Sequence, residues 1–179
     1  ALYAIYRYGE ATFLPGEDFN VAIKQLANPN ATEIAQDTLD TNITSIQRYT
    51  NTPSASTLAN AVKVSTQDSD LDIYAWYSNG TIYYYSEDDD IYLHNYPYSM
   101  FKNLSNVTSI DLSGVKSDFL TSAYQRFYGC NNLTELDLRE WDTKKLTNTY
   151  QMLFSLCHKW YLTILSNSLS ASRFLLSLF

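Results

Sequence analysis

Apolar and polar positions in the second half of the chain recur every twenty-six residues. Phe101, Phe127, Leu153 and Phe179 stand at that interval, as do Tyr98, Tyr124 and Tyr150. Val107, Ile110 and Leu112 fall on Leu133, Leu136 and Leu138, and Leu104, Cys130 and Leu156 make a further column, as do Leu120 and Leu146. In the third copy Leu162 and Ile164 keep the last two strand positions, while Lys159 takes the place of Val107 and Leu133.

Within each copy the period changes. Tyr124, Phe127 and Cys130 recur at threefold spacing around Gly129, which predicts a short helix closed by a glycine turn. Leu136 and Leu138 alternate with Glu135, Asp137 and Arg139, which predicts a strand with one buried face. A return loop over Arg139 to Lys145 completes the unit. One such unit cannot bury its apolar face alone, so the copies are expected to stack. The resulting fold class is α/β: a leucine-rich-repeat-like solenoid over residues 92–179, with a short helix turn and a parallel strand per repeat.

The segments Met100-Phe101-x-x-Leu104-x-x-Val107-Thr-Ser-Ile-Asp-Leu-Ser, Phe127-Tyr-Gly-Cys-Asn-Asn-Leu-Thr-Glu-Leu-Asp-Leu and Trp141-Asp-Thr-Lys-Lys-Leu-Thr-Asn carry a resemblance. Over residues 92–157 the chain resembles the 26-residue repeat of BspA-like bacterial surface proteins. That resemblance implies a secreted or cell-surface protein with adhesive or host-contact roles, and it brings no shared catalytic residues. Arg126 departs from the pattern where the family carries Met, Lys116 to Ser122 lack its Asp-Thr, and Trp141 replaces a Phe and is expected in the core. Beyond Cys157 the chain reads Trp160-Tyr-Leu-Thr-Ile-Leu and then Phe174-Leu-Leu-Ser-Leu-Phe179. Because Phe179 keeps the register, the natural protein is expected to continue past it.

Residues 1–91 have a different pattern and are expected to form a β-rich N-terminal module. Leu2 to Gly9 and Ile73 to Gly80 align as two related hairpins. Asn79-Gly80 suits a type I′ turn, because both central residues of that turn need positive φ. Such a turn pairs Trp76 with Tyr83 and Tyr74 with Tyr85 on one face, with Ile73, Ala75, Tyr77, Ile82 and Tyr84 on the other. In the first hairpin Arg7 would face Glu10. Asn42-Ile-Thr-Ser-Ile46 matches Asn106-Val-Thr-Ser-Ile110, so both segments are expected as related strands. Residues 50–72 read as a linker with a short helix near Thr57 to Val62, and Phe19 to Ala27 fits either helix or strand.

Composition narrows the chemistry. Across 179 residues, 45% hydrophobic content with sixteen Tyr and eight Phe is ample for a core, which argues against wholesale disorder. A net charge of −7 disfavours a nucleic-acid backbone or an anionic membrane as partner. No run of eighteen apolar residues occurs, so no membrane span is expected. Cys130 and Cys157 read as buried thiols rather than a disulfide framework, and His94 and His158 lack metal or nucleophile spacing. The run Glu87 to Asp90 lacks the alternation and Gly of a calcium loop and reads as a solvated turn. No catalytic residue, metal ligand or cofactor is assigned.

The residues alternating with the buried leucines are the candidate ligand surface: Ser109, Asp111 and Ser113, then Glu135, Asp137 and Arg139, then Tyr161 and Thr163. Tyr74, Trp76, Tyr83 and Tyr85 are a secondary candidate, serving either as a platform for sugar rings or a partner's apolar patch, or as a cap on the solenoid's open end. The functional expectation is a non-catalytic bacterial surface protein for adhesion or protein-protein interaction, whose partner is a host or neighbouring-cell protein or a glycan. The alternatives are a carbohydrate-binding module using the hairpin aromatics, or a passive surface spacer.

Overall fold

The computed structural model describes residues 10–118, 120–138, 141–142, 144–154 and 163–165. Among these are two helices, α1 (Gly16–Ala27) and α2 (Ala55–Ala59). The strands are β1 (Ala11–Thr12), β2 (Ser45–Arg48), β3 (Val62–Lys63), β4 (Tyr74–Ser78), β5 (Thr81–Tyr85), β6 (Ile91–Tyr92), β7 (Ser109–Ile110), β8 (Val115–Lys116), β9 (Glu135–Asp137) and β10 (Thr163–Leu165). They make a three-stranded sheet ordered β1-β6-β8 and a seven-stranded sheet ordered β10-β9-β7-β2-β5-β4-β3. Both sheets run across the position between residues 91 and 92, because β6 joins β1 to β8 and β2 joins β5 to β7.

This architecture corrects the expected leucine-rich-repeat-like solenoid. The protein is a mixed α/β fold without solenoid closure and richer in sheet, and among the described residues no helix follows Ala59. The threefold spacing of Tyr124, Phe127 and Cys130 belongs to turns instead. Gln125 has φ 49° and Gly129 has φ 75°, and Ser99, Asn103 and Gln151 repeat the left-handed conformation at 57°, 59° and 52°. Residues at positive φ interrupt an α-helix, so the backbone donors turn to the neighbouring copy. Phe101 N–H reaches Arg126 O at 3.0 Å, and Phe127 N–H reaches Met152 O at 3.0 Å. These turns are knit copy to copy where a helix would close on itself.

The match between Asn42-Ile-Thr-Ser-Ile and Asn106-Val-Thr-Ser-Ile becomes a physical pairing. Ser45 lies opposite Ser109 and Ile46 opposite Ile110 in parallel register, and Ser109 lies opposite Glu135. Thr108 N–H donates to Thr44 O at 2.9 Å and Thr134 N–H to Thr108 O at 3.1 Å, with each threonine hydroxyl donating to the same carbonyl as its amide. At the hairpin, Asn79 and Gly80 have φ 48° and 85°, as a type I′ turn requires. The turn carbonyl Gly80 O accepts Thr44 N–H at 2.7 Å, which seats the hairpin on β2.

The segment Phe19 to Ala27 is helical. Glu17 and Asp18 sit in the first turn of α1 and Lys24 in the last, each favourable to the helix dipole. Its buried stripe of Phe19, Asn20, Ile23 and Lys24 follows helical spacing. Phe19 packs edge-on against Phe13 and Phe101, and Phe101 stacks on Phe127 at 5.4 Å, so one line of rings ties α1 to the repeated turns. Trp141 is in the core beside Phe127, as expected, and Arg126 is fully buried with it.

Lys24 shows how α1 holds the chain leading into β2. Its Nζ donates to Gln36 O at 2.9 Å and Thr38 O at 2.7 Å. Asp40, two residues on, caps Asn42 and Ile43 and receives Ser105 N–H on its carbonyl. Burial lowers the Lys24 pKa to about 8, against the pull of Asp40. The unfolded chain keeps this proton up to 10.5, so between those values it binds more protons than the folded chain and stability rises with pH. Comparing unfolding free energies from urea titrations of wild type and Lys24→Met from pH 8 to 10.5, the difference should move in favour of wild type by on the order of 3 kcal/mol. A constant difference would show that Lys24 is not titrating from a buried position.

Candidate functional site

Side chains directly opposite one another in a sheet share a face, so the register alone places the candidates. Trp76 lies opposite Tyr83, and Tyr83 opposite Gln47. Asp111 N–H donates to Ile46 O at 2.9 Å, which sets Asp111 alongside Gln47, while Asp137 lies opposite Leu165. A second row runs through Ser78, Thr81, Ser45, Ser109, Glu135 and Thr163. The inward partners Ala75, Ile82, Tyr84, Ile46, Ile110 and Leu136 are buried. The primary and secondary candidates therefore occupy one face of one sheet, joined through Ser45 and Gln47 of β2. Ser109, Asp111, Ser113 and Asp137 are exposed, and Tyr74, Trp76, Tyr83 and Tyr85 are half-buried. Glu135 and Thr163 are placed by backbone register, while Arg139 and Tyr161 lie outside the described residues.

The aromatic end contains a residue that sequence reasoning missed. Tyr49 follows β2, where its N–H donates to Tyr84 O at 2.8 Å. Its ring meets Trp76 edge-on at 5.2 Å and Tyr83 at 6.0 Å, while Trp76 and Tyr83 stack at 5.6 Å. Such contacts fix ring orientation. Nothing in the local pattern around Tyr49 marks it; its place beside the hairpin follows from the pairing of β2 with β5, which the chain does not announce. Tyr74 is anchored separately, its hydroxyl donating to Asp72 Oδ2 at 3.0 Å. Lys63 pairs with the same carboxylate and its hydrogen bond holds the Asp72 pKa down, while the bond to Asp72 pushes the Tyr74 phenol up.

Where the strands end, a hollow of about 390 Å³ brings Tyr85 and Ser113 together with Tyr49 and Arg48. Arg48 crosses its floor, donating to Ser113 O at 2.8 Å and Asp88 O at 2.9 Å. Gly114, at φ +68°, permits this crossing, because a Cβ there would stand 1.8 Å from the Arg48 guanidinium. The acidic run thus acts as a turn: Asp88 binds Arg48 through its carbonyl, its carboxylate accepts Asp90 N–H at 3.1 Å, and Asp90 meets Lys116 at 3.2 Å. Among the described residues no group of three His, Cys, Asp or Glu side chains could hold a metal ion.

The remaining sequence candidates serve the fold. Cys130 is a free, buried thiol whose Sγ donates to Phe101 O at 2.9 Å, and burial pushes its pKa up to about 12. His94 accepts Tyr96 N–H on Nδ1 at 3.0 Å, and burial lowers its pKa. Cys157, His158 and the first hairpin, with Arg7, lie outside the described residues. Among the described residues no helix is long and apolar enough to cross a membrane. The outward face offers hydroxyls, carboxylates and braced rings, which suit non-covalent contact. No family model, curated protein or solved structure matches the chain.

Proposed function

We propose that the protein is a non-catalytic bacterial surface protein that engages a protein on a host or neighbouring cell through the outward face of the seven-stranded sheet. The observation supporting this reading is the continuity of that face, on which the exposed Asp111 and Asp137 share one side with the braced Trp76 and Tyr83. An aromatic anchor bordered by polar positions has the layout of a protein-binding patch, in which aromatic residues carry the energy and a polar rim surrounds them. The acidic balance of −7 favours a partner with a basic surface. The resemblance to BspA-like repeats supplies the surface location.

Beads coated with the protein are expected to adhere to epithelial cell layers. The double substitution Asp111→Lys, Asp137→Lys should lower retention about tenfold or more, since reversed charge meets like charge on the partner. Both residues are exposed, and circular dichroism checks that the fold survives loss of the Ser113 N–H bond to Asp111 Oδ1. Retention equal to wild type would refute the assignment of this face, and absence of adhesion by wild type would favour the passive spacer.

A further inference from the structure

A second hollow, about 430 Å³, opens between α2 and the edge of β4. Its walls are Trp76, Tyr77 and Ser78 of β4, Ser56 and Thr57 of α2 and Asn60 just after it, with Leu26 of α1 on one side. β3 pairs with β4 only at Tyr74 and Ala75, so the sheet edge from Trp76 to Ser78 is left to this hollow.

Two features prepare these walls. Trp76 is held by its stack on Tyr83 and by the edge of Tyr49. The polar wall is equally ordered: Ser54 Oγ accepts Thr57 N–H at 3.1 Å, its hydroxyl pairs with those of Ser56 and Thr57, and Asn60 Nδ2 donates to Ser56 O at 2.9 Å. Groups already fixed lose little freedom when they take up a ligand. The volume falls in the lower part of the roughly 300–1,000 Å³ range of small-ligand sites.

The chemistry of the lining selects the ligand class. An indole offers apolar surface, while the hydroxyls of Ser56, Thr57 and Ser78 and the Asn60 amide offer both donors and acceptors, the Tyr77 hydroxyl being engaged with Asn42 O. None of the lining residues is charged, so an ionic ligand would give up water without gaining a counterion. A pyranose ring has the complementary form, with C–H groups on one face and hydroxyls around its rim.

We propose that the hollow between α2 and β4 binds one ring of a neutral sugar, stacked on Trp76 and hydrogen-bonded by Ser56, Thr57, Asn60 and Ser78. This site shares Trp76 with the proposed protein-binding face, but its other contacts come from α2 and the β4 edge, away from Asp111 and Asp137.

The test is an NMR titration of the full chain with the methyl glycosides of glucose, galactose, mannose and N-acetylglucosamine, with glucuronate and glucosamine as charged counterparts. At least one neutral glycoside is expected to bind with an affinity on the order of millimolar, given its few contacts, and to shift amides at 56–60 and 76–78. Asn60→Ala should weaken binding about fivefold, the loss of roughly one hydrogen bond. Trp76→Phe should retain binding that Trp76→Ala loses, and if Trp76→Ala fails to fold, Asn60→Ala and Trp76→Phe carry the test. The proposal is overturned if no neutral glycoside shifts those amides, if the charged sugars bind as well, or if Asn60→Ala binds like wild type. Asp111→Lys with Asp137→Lys should leave the titration unchanged, so loss of cell adhesion and loss of sugar binding are read separately.

Discussion

Arg126→Met is expected to stabilise the folded chain by roughly 3 kcal/mol, a rise in melting temperature of roughly 6–12 °C for a chain of this size. Arg126 is fully buried, and among the described residues none of its Nε, Nη1 or Nη2 atoms has a hydrogen-bond partner. Its guanidinium lies over the Trp141 ring, 4.7 Å from Cζ. A desolvated cation over an indole recovers about 2 kcal/mol, whereas burying an unpaired charge costs several. The copies before and after place Met100 and Met152 at the equivalent positions, both buried, so the site accepts a methionine side chain.

A pH signature separates this charge effect from better packing. Burial lowers the Arg126 pKa from 12.5 to about 9. Below that value the folded state carries the charge at a cost, and above it the folded state releases a proton that the unfolded chain retains, so wild-type stability rises. The advantage of Arg126→Met should therefore be full at pH 7 and shrink as pH passes 9. Urea unfolding at pH 7 and pH 10 measures both. A variant no more stable than wild type at pH 7 would show that the guanidinium is satisfied in solution.

Leu136→Asp is expected to abolish cooperative folding. Leu136 is 1% exposed in β9, and its strand pairs with β7 on one side and β10 on the other. A carboxylate there has no partner in an apolar setting and costs several kcal/mol beyond the lost leucine packing, against a total stability of about 5–15 kcal/mol. Ser109→Thr, exposed on the outward face of the neighbouring strand, should change stability by less than about 0.5 kcal/mol. A melting temperature for Leu136→Asp near that of wild type would overturn the inward assignment of this position.

Much of the local register was legible from residue patterns. The Asn79-Gly80 pair set the hairpin, and with it the Trp76/Tyr83 and Tyr74/Tyr85 pairs, because that turn admits only residues comfortable at positive φ. Alternation placed Leu136 inward and Asp137 outward, since the side-chain period of a strand is two. The helix expected around Phe127 was misread for a specific reason. Threefold apolar spacing is shared by helices and by stacked turns, and the left-handed Gln125 and Gln151 carry no glycine to announce themselves.

The chain alone thus determined which side chains face inward along each strand and where the tight hairpin bends, because both follow from local sterics and a period of two. Only the tertiary structure decided that two candidate surfaces, one on the hairpin and one on the repeats, are a single face. That outcome depends on β2 inserting between β5 and β7, a pairing made by backbone hydrogen bonds that any residue can form, so its side chains show likeness but not adjacency. The same holds for Arg126. Its place in a column of methionines is written in the sequence, but its lack of an acceptor among the described residues follows from what the folded chain brings around it.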